Sequence, residues 1–212
     1  MFIEKSLKEY IDSVASKEPT PGGGSVAALA GSLGAALTAM VGCLTIGRKI
    51  YEELDEEVKE VMDKNFKELY NSIERLNGIV DEDTKAFDKV MEALKMPKET
   101  EEEKKARSEA IQEGYKVALE VPLRCAEECY QVLKLSRVFA DHGNVNAITD
   151  VGVGALLAAA AVESAILNVK INLKSIKDAE FKKKIEERIE FLISDGYKLK
   201  DEIMEIVYER LG

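Results

Sequence analysis

An all-α fold, a multi-helix bundle forming a single domain over residues 1–212, is predicted by three observations. Apolar residues in the middle of the chain recur at alternating four- and three-residue spacing, as in Leu69, Ile73, Leu76 and Val80, the period of a helix that buries one face. Two runs, Val26 to Gly47 and Val151 to Val162, carry no charge and consist largely of small residues, as expected of helices packed on all sides at the centre of a bundle. No segment alternates with period two, no hairpin signal occurs and proline is scarce after Pro21, which leaves no case for a sheet.

The chain is long enough to bury a sizeable core. Its formal net charge of −10 argues against a nucleic-acid backbone or an anionic membrane surface as partner, since both would repel it at long range. Cys43, Cys125 and Cys129 are an odd number in a cysteine-poor chain, which suits a reducing cytoplasm better than a disulfide scaffold. Met1 to Tyr10 interleaves Glu4, Lys5, Lys8 and Glu9 with apolar residues and so lacks the apolar core of a signal peptide. Val26 to Gly47 is just long enough to span a bilayer, but its small residues yield little hydrophobic free energy per position; a buried core helix is the reading adopted.

Ile3, Leu7, Ile11 and Val14 fall at helical spacing and predict a short amphipathic helix ending near Lys17. The next stretch, Pro19-Thr20-Pro21-Gly22-Gly23-Gly24-Ser25, reads as a tight loop feeding a helix. Ser25 is a favoured N-cap type, and the three glycines permit positive φ or close backbone approach of a ligand. Within the helix that follows, Ala27, Gly31, Ala35 and Ala39 form a ridge with almost no side chain, on which another helix can pack closely.

From Leu54 the pattern becomes charged and periodic, through Val58, Val61, Phe66, Leu69, Ile73, Leu76, Val80, Phe87, Val90 and Leu94, predicting one helix or a kinked pair from about Tyr51 to Lys95. Asp83 stands where that seam calls for an apolar residue. A buried carboxylate is costly unless paired or lining a polar cavity, so Asp83 is either a structural hydrogen-bonding group or part of a site. Asp81 lies off the seam and reads as solvated.

Thr100 and Glu103 make a capping box for a long helix whose stripe includes Cys125 and Cys129. Pro122 should kink it and leave the Ala118 carbonyl without its intrahelical partner. The two cysteines share a face, but with His142 far along they form no metal site and are assigned to the core. A second loop, Asp141 to Asn146, opens the other small-residue helix, expected to pack against the Val26 helix within one subunit or across a dimer. Asp150 near its start either offsets the helix dipole or is catalytic. Asn168, on the same helix, is about 27 Å from Asp150, too far for one ligand atom to meet both in one subunit. The last helix is expected over Ala179 to Leu211, giving five to seven helices in all.

The glycine motif at 19–25, Val-Asp-Glu-Asp-Thr-Lys-Ala-Phe at 80–87 and Gly-Asn-Val-Asn-Ala-Ile-Thr-Asp at 143–150 together resemble the cyclodeaminase domain of formiminotransferase-cyclodeaminase and its stand-alone bacterial relatives, over nearly the whole chain. The resemblance implies a cytoplasmic, helical, homodimeric folate enzyme of one-carbon metabolism. Such an enzyme cyclises 5-formiminotetrahydrofolate to 5,10-methenyltetrahydrofolate with release of ammonia, as a lyase. The alternatives are a methenyltetrahydrofolate cyclohydrolase, which is a hydrolase, and a non-catalytic folate-binding dimer. It implies a tetrahydrofolate derivative as substrate, open to polyglutamylation, with no tightly bound cofactor or metal. Asp83 is then the first candidate for proton transfer at N10 or the leaving nitrogen, Asp150 the second, and Asp81 a third as a member of the matched motif. Gly22, Gly23, Gly24 and Ser25 are candidates to present backbone N–H groups to the pterin or to carboxylates. Arg48 and Lys49 are candidates for the glutamate tail or simply favourable charges at a helix C-terminus. Asn144 either hydrogen-bonds the pterin or holds its turn in a left-handed conformation.

Overall fold

The computed structural model describes residues 1–212 and consists of eight α-helices: α1 (Leu7–Val14), α2 (Gly23–Thr45), α3 (Lys49–Glu52), α4 (Glu56–Glu82), α5 (Asp88–Lys95), α6 (Glu101–His142), α7 (Ile148–Leu173) and α8 (Ala179–Leu211). Short 3-10 turns at Asp83–Lys85 and Val145–Ala147 join α4 to α5 and lead into α7. The count exceeds the expected five to seven for two local reasons. Gly47, at φ +72°, reverses the chain after α2 at an angle only glycine adopts freely, and the one-turn α3 follows it. The seam helix is a kinked pair, broken by the 3-10 turn that begins at Asp83.

The two small-residue helices, α2 and α7, pack against each other at the centre. They run antiparallel: Gly23 at the start of α2 lies against Asn168, Gly34 against Gly154 and Ala158, and the Asn144 N–H before α7 donates to Thr45 Oγ1 at the end of α2, 2.9 Å. The crossing point explains the composition. A Cβ on Gly34 would lie 2.7 Å from the Gly154 carbonyl oxygen, and one on Gly154 would lie 2.8 Å from the Gly34 carbonyl oxygen. The two backbones therefore touch directly, as small-residue stripes allow.

On either side, α4 flanks α2 and α8 flanks α7, while α6 runs beneath and touches all four. Gly31 admits the buried Cys129 sulfur, which a Cβ there would meet at 2.4 Å. Cys125 and Cys129 are fully buried, as expected, and Cys43 is exposed. The Cys125 hydrogen bond and burial hold the Cys129 thiol well above its usual pKa, so it stays protonated. α2 and α7 are each long and apolar enough to cross a membrane, yet 56% of the apolar window of each is buried inside the bundle.

Several local expectations match the structure. Thr100 and Glu103 form the capping box of α6, and α8 spans Ala179–Leu211 with Asp178 accepting from the Phe181 N–H. Pro122 sits inside α6, and the Ala118 carbonyl it deprives accepts from Asn172 Nδ2 at 3.2 Å. A side chain of α7 thus repairs the break in α6.

Two expectations are corrected. In α1 the apolar residues Leu7 and Ile11 point outward, 71% and 62% exposed, and Val14 is also exposed, while Tyr10 at the edge of that stripe is buried. The helix is rotated because the Tyr10 hydroxyl reaches Ser25 in the interior at 2.9 Å. In the seam, Val61 is exposed and Met62 beside it is fully buried, because Met62 rather than Val61 keeps the seven-residue period of Leu69 and Leu76; Phe87 and Leu94 are exposed because the break at Asp83 resets the helical phase.

The glycine contact predicts opposite outcomes for two alanine substitutions. Gly154→Ala overpacks the α2–α7 crossing and should destabilise by about 1–3 kcal/mol, a fall in Tm of about 2–12 °C at this size. Gly78→Ala, on an exposed helical turn with only the Glu82 carboxylate within 4 Å, should instead raise Tm by a few degrees. Thermal denaturation by circular dichroism checks both.

Candidate active site

The glycine loop, the α4–α5 break and the C-terminal half of α7 meet at one end of the bundle. α2 begins at Gly23 with Gly22 as N-cap, so Ser25 is not the cap but the third helical residue. Its backbone N–H, one of the donors a helix start leaves unpaired, donates to Asp83 Oδ2 at 3.0 Å. Its hydroxyl donates to the Val80 carbonyl at 2.9 Å, which leaves the Tyr10 hydroxyl as donor in the 2.9 Å contact to Ser25 Oγ. Residues of three segments are thereby tied to one serine.

Gly24 is glycine for space rather than for φ, since Gly47 and Gly212 are the residues at positive φ. A Cβ on Gly24 would lie 2.1 Å from Asp83 Oδ1 and 2.6 Å from its carboxyl carbon. The carboxylate therefore rests against the helix start itself. Burial raises the Asp83 pKa above the ordinary aspartate value, and the Ser25 N–H bond lowers it by less. Desolvation disfavours the charged form, while an N–H donor favours it; here desolvation dominates. The result is a carboxyl that exchanges its proton nearer neutrality than a surface aspartate does.

Asp81 is not the solvated residue expected. One oxygen accepts from the Phe2 backbone N–H, and the other, Oδ2, is buried without a hydrogen-bond partner. A ligand N–H or O–H donor would relieve it. A cavity of about 290 Å³ opens beside it, lined by Phe2, Lys5, Thr84 and Lys85 among others. Burial also raises the Tyr10 pKa, partly offset by the Ser25 hydrogen bond and reinforced by the charges of Asp83 and Asp81.

The structure brings Gly22, Gly23, Gly24, Ser25, Asp81 and Asp83 together and separates them from the other candidates. Asp150 lies in the first turn of α7, about 27 Å along that helix from the Asn168 that touches Gly23. Arg48 and Lys49 follow the far end of α2, about 30 Å from the glycines. Asn144 also belongs to that far end. Its Nδ2 donates to the Leu44 carbonyl at 3.1 Å and its Oδ1 accepts from the Asn146 N–H at 3.0 Å. It holds the turn, at φ −57° rather than in the left-handed conformation expected. No group of three His, Cys, Asp or Glu side chains is placed to hold a metal ion.

Residues 6–191 match the family model described as Formiminotransferase-cyclodeaminase. The chain belongs to this family. It is 40% identical to a methenyltetrahydrofolate cyclohydrolase of Methylorubrum extorquens over the full length of both chains. It is 38% identical to a formimidoyltransferase-cyclodeaminase of Gallus gallus, over 92% of this chain and 35% of that protein. The fold matches the crystal structure of a formiminotetrahydrofolate cyclodeaminase from Thermotoga maritima at a TM-score of 0.78 and 29% identity, covering 98% of this chain and 96% of that one.

Two members of this cyclodeaminase-family site were not legible in advance. Tyr10 was hidden by the stronger apolar stripe beside it, although an aromatic at the stripe's edge is a signal for an inward-facing polar tip. Asn168 was noticed only for its spacing. Its amide lies against Gly23, within 3.3 Å of where a Cβ would be, and its Nδ2 donates to the Ser164 carbonyl at 2.9 Å, so its Oδ1 is the free acceptor at this end of α7.

The raised Asp83 pKa has a definite consequence for stability. A carboxyl whose folded pKa exceeds its unfolded value contributes fully below the unfolded value, and that contribution is lost as pH rises through the folded one. Asp83→Asn keeps an oxygen for the Ser25 N–H and removes the buried charge. Its Tm should match the wild type below about pH 4 and exceed it at pH 7, as read by differential scanning fluorimetry; a pH-independent difference would remove the desolvation argument.

Proposed function

We propose that the chain is a folate-dependent one-carbon enzyme that closes 5-formiminotetrahydrofolate to 5,10-methenyltetrahydrofolate and releases ammonia. The observation that carries this reading is the Asp83 carboxyl, partly buried against the start of α2 with its pKa raised. In the closure N10 attacks the formimino carbon and loses its proton. The bond from that carbon to the departing nitrogen breaks once the nitrogen has been protonated. A carboxyl whose pKa is raised by burial holds a proton more readily than a surface aspartate, and can accept the first proton and deliver it to the second nitrogen, the work of a general acid–base. Asp83 is assigned this transfer. Asp81, through its unpartnered Oδ2, accepts from an N–H of the pterin. The one-carbon unit keeps its oxidation state throughout, so the chemistry calls for no redox cofactor.

A second reading, the cyclohydrolase, is supported by the full-length match to the Methylorubrum extorquens protein. There Asp83 takes a proton from water as its oxygen bonds to the methenyl carbon and gives it to N5 as the N5–carbon bond breaks, while the new hydroxyl loses its remaining proton to solvent and becomes the carbonyl of the 10-formyl compound. The same carboxyl serves both reactions because both pass through a tetrahedral carbon between N5 and N10.

A homodimer is part of this reading, supported by one apolar patch. Leu33 and Met40 on α2, with Val153, Leu156, Leu167 and Ile171 on α7, are 39–63% exposed and continue along the face opposite α6. Such a patch marks an association surface. A second copy related by a two-fold axis that lies in this face and runs across the helices brings its far end toward the Asp83 end of the first. Asp150, Arg48, Lys49 and Asn144 reach the site only in this way. The three free thiols support the cytoplasm as the compartment.

Appearance of methenyltetrahydrofolate absorbance from the formimino compound, or its interconversion with the 10-formyl compound, tests the two enzyme readings side by side. Asp83→Asn should lower kcat about 10²–10⁴-fold, and Gly24→Ala should do likewise by displacing the carboxylate. Turnover of neither folate would leave only a non-catalytic binding role. In light scattering the protein should be a dimer and Leu33→Glu/Leu156→Glu a monomer; full activity in that monomer would exclude Asp150 from the site.

A further inference from the structure

Two asparagines end the small-residue seam that α7 turns to α2. Gly154, Ala158, Ala161 and Ala165 are buried along it at three- and four-residue spacing, with Gly154 and Ala158 against Gly34. The next places in the same period are Asn168 and Asn172. Asn172 is spent on the Ala118 carbonyl of α6; Asn168 is not. Its Nδ2 donates to the Ser164 carbonyl at 2.9 Å, one turn back on its own helix, where the backbone N–H of Asn168 is already the partner an α-helix supplies. That bond repairs no break. It orients the amide instead: a carbonyl takes a donor, so the nitrogen is committed to Ser164 and Oδ1 is left over. Oδ1 accepts from no group of the chain and is not sealed from solvent.

This oxygen stands across the start of α2 from Asp83. The amide lies against Gly23, its Oδ1 3.6 Å from where a Cβ on that glycine would be, while Asp83 Oδ1 is 2.1 Å from the Cβ place of the next residue, Gly24. Neighbouring α-carbons are about 3.8 Å apart, so the two oxygens lie within about 13 Å of each other. Two hydrogen bonds of about 3 Å each, with a substituent of a few bonds between them, fit within such a gap. Asp83 interrupts the apolar seam of α4 and Asn168 that of α7, each where α2 offers a glycine in place of a side chain. Their chemistry differs. The carboxyl can hold or release a proton, whereas an amide oxygen accepts a hydrogen bond but is too weak a base to take the proton itself.

Resting on the folate reading, we infer that Asn168 holds the nitrogen that leaves: its Oδ1 accepts from the N–H of the formimino group while Asp83, on the other side of the α2 start, serves N10. The formimino nitrogen carries hydrogen throughout, as part of an amidine in the substrate, as an amine once the N10–carbon bond has formed, and as a protonated amine when the carbon–nitrogen bond breaks. A fixed acceptor meets it at each stage, and the bond strengthens as positive charge develops there. A formyl group presents an oxygen at the same place, and two acceptors facing each other leave both unpaired. Asn168 thereby selects an amidine over an amide at N5.

Asp83→Asn slows turnover and provides the background for calorimetry with 5-formiminotetrahydrofolate, 5-formyltetrahydrofolate and unsubstituted tetrahydrofolate. The formimino compound should bind about tenfold more tightly than the other two, as one charge-assisted hydrogen bond allows. Adding Asn168→Leu, similar in size but without an acceptor, should abolish that preference and leave the affinity for unsubstituted tetrahydrofolate unchanged. Asn168→Ala gives the same comparison with no added bulk beside Gly23, and Asn168→Asp, which keeps an acceptor oxygen, should retain the preference. A preference kept by Asn168→Leu and Asn168→Ala, absent from the parent, or lost together with affinity for all three folates would overturn the inference, the last because Asn168 would then only brace α7 against α2. With Asp83 intact, turnover separates this result from the enzyme reading. An Asn168-dependent preference in a protein that turns over no folate would leave the binding site and sink the reaction; closure at an unchanged rate in Asn168→Leu would sink this inference alone.

Discussion

The backbone contact between Gly34 and Gly154 is the constraint on which the rest of the structure depends. With no side chain between them, α2 and α7 meet carbonyl to α-carbon, and dispersion contacts accumulate along both helices because nothing holds them apart. That proximity explains why both helices are uncharged and rich in small residues, and why hydrophobicity sufficient for a membrane span is compatible with a packed core. It also fixes the ends. Antiparallel packing sets Gly23 against Asn168 at one end and Thr45 against the Asn144 turn at the other.

At the Gly23 end the same principle of missing side chains operates on a charge. Gly24 lets the Asp83 carboxylate rest on the helix start, where the Ser25 N–H steadies it without compensating for its desolvation. The balance leaves Asp83 titrating closer to neutrality, the property that general acid–base work requires. Ser25 is locked by Val80 and Tyr10, so the donor that tunes Asp83 is held by two other parts of the chain.

Much of this was legible in the sequence where a single local rule decides. The Thr100–Glu103 capping box, the α8 boundaries and the acid interrupting the apolar seam at Asp83 all follow from residue type and spacing. The orphaned Ala118 carbonyl was also expected from Pro122, although its partner, Asn172, was not. What escaped depends on tertiary contacts. Ser25 has the residue type of a cap, but the glycines start the helix earlier and turn its N–H toward Asp83. Leu7 and Ile11 have the period of a buried face, but periodicity gives a face without saying which way it points; the buried hydrogen bond of Tyr10 sets the rotation. Asp150 and Arg48 have the chemistry of site residues, but helix lengths separate them from Asp83 within one chain.

The central claim is that the Asp83 carboxyl moves the proton at the bridging nitrogens of the folate. A crystal structure with bound 5-formyltetrahydrofolate, a stable isostere of the formimino compound, tests it most directly. The account predicts an Asp83 carboxyl oxygen within hydrogen-bond reach of N10 or the formyl oxygen, directly or through one water, with the pterin beside Asp81. A ligand whose N5 and N10 lie beyond about 8 Å from Asp83, with no water between them, would contradict it by the same criterion of reach.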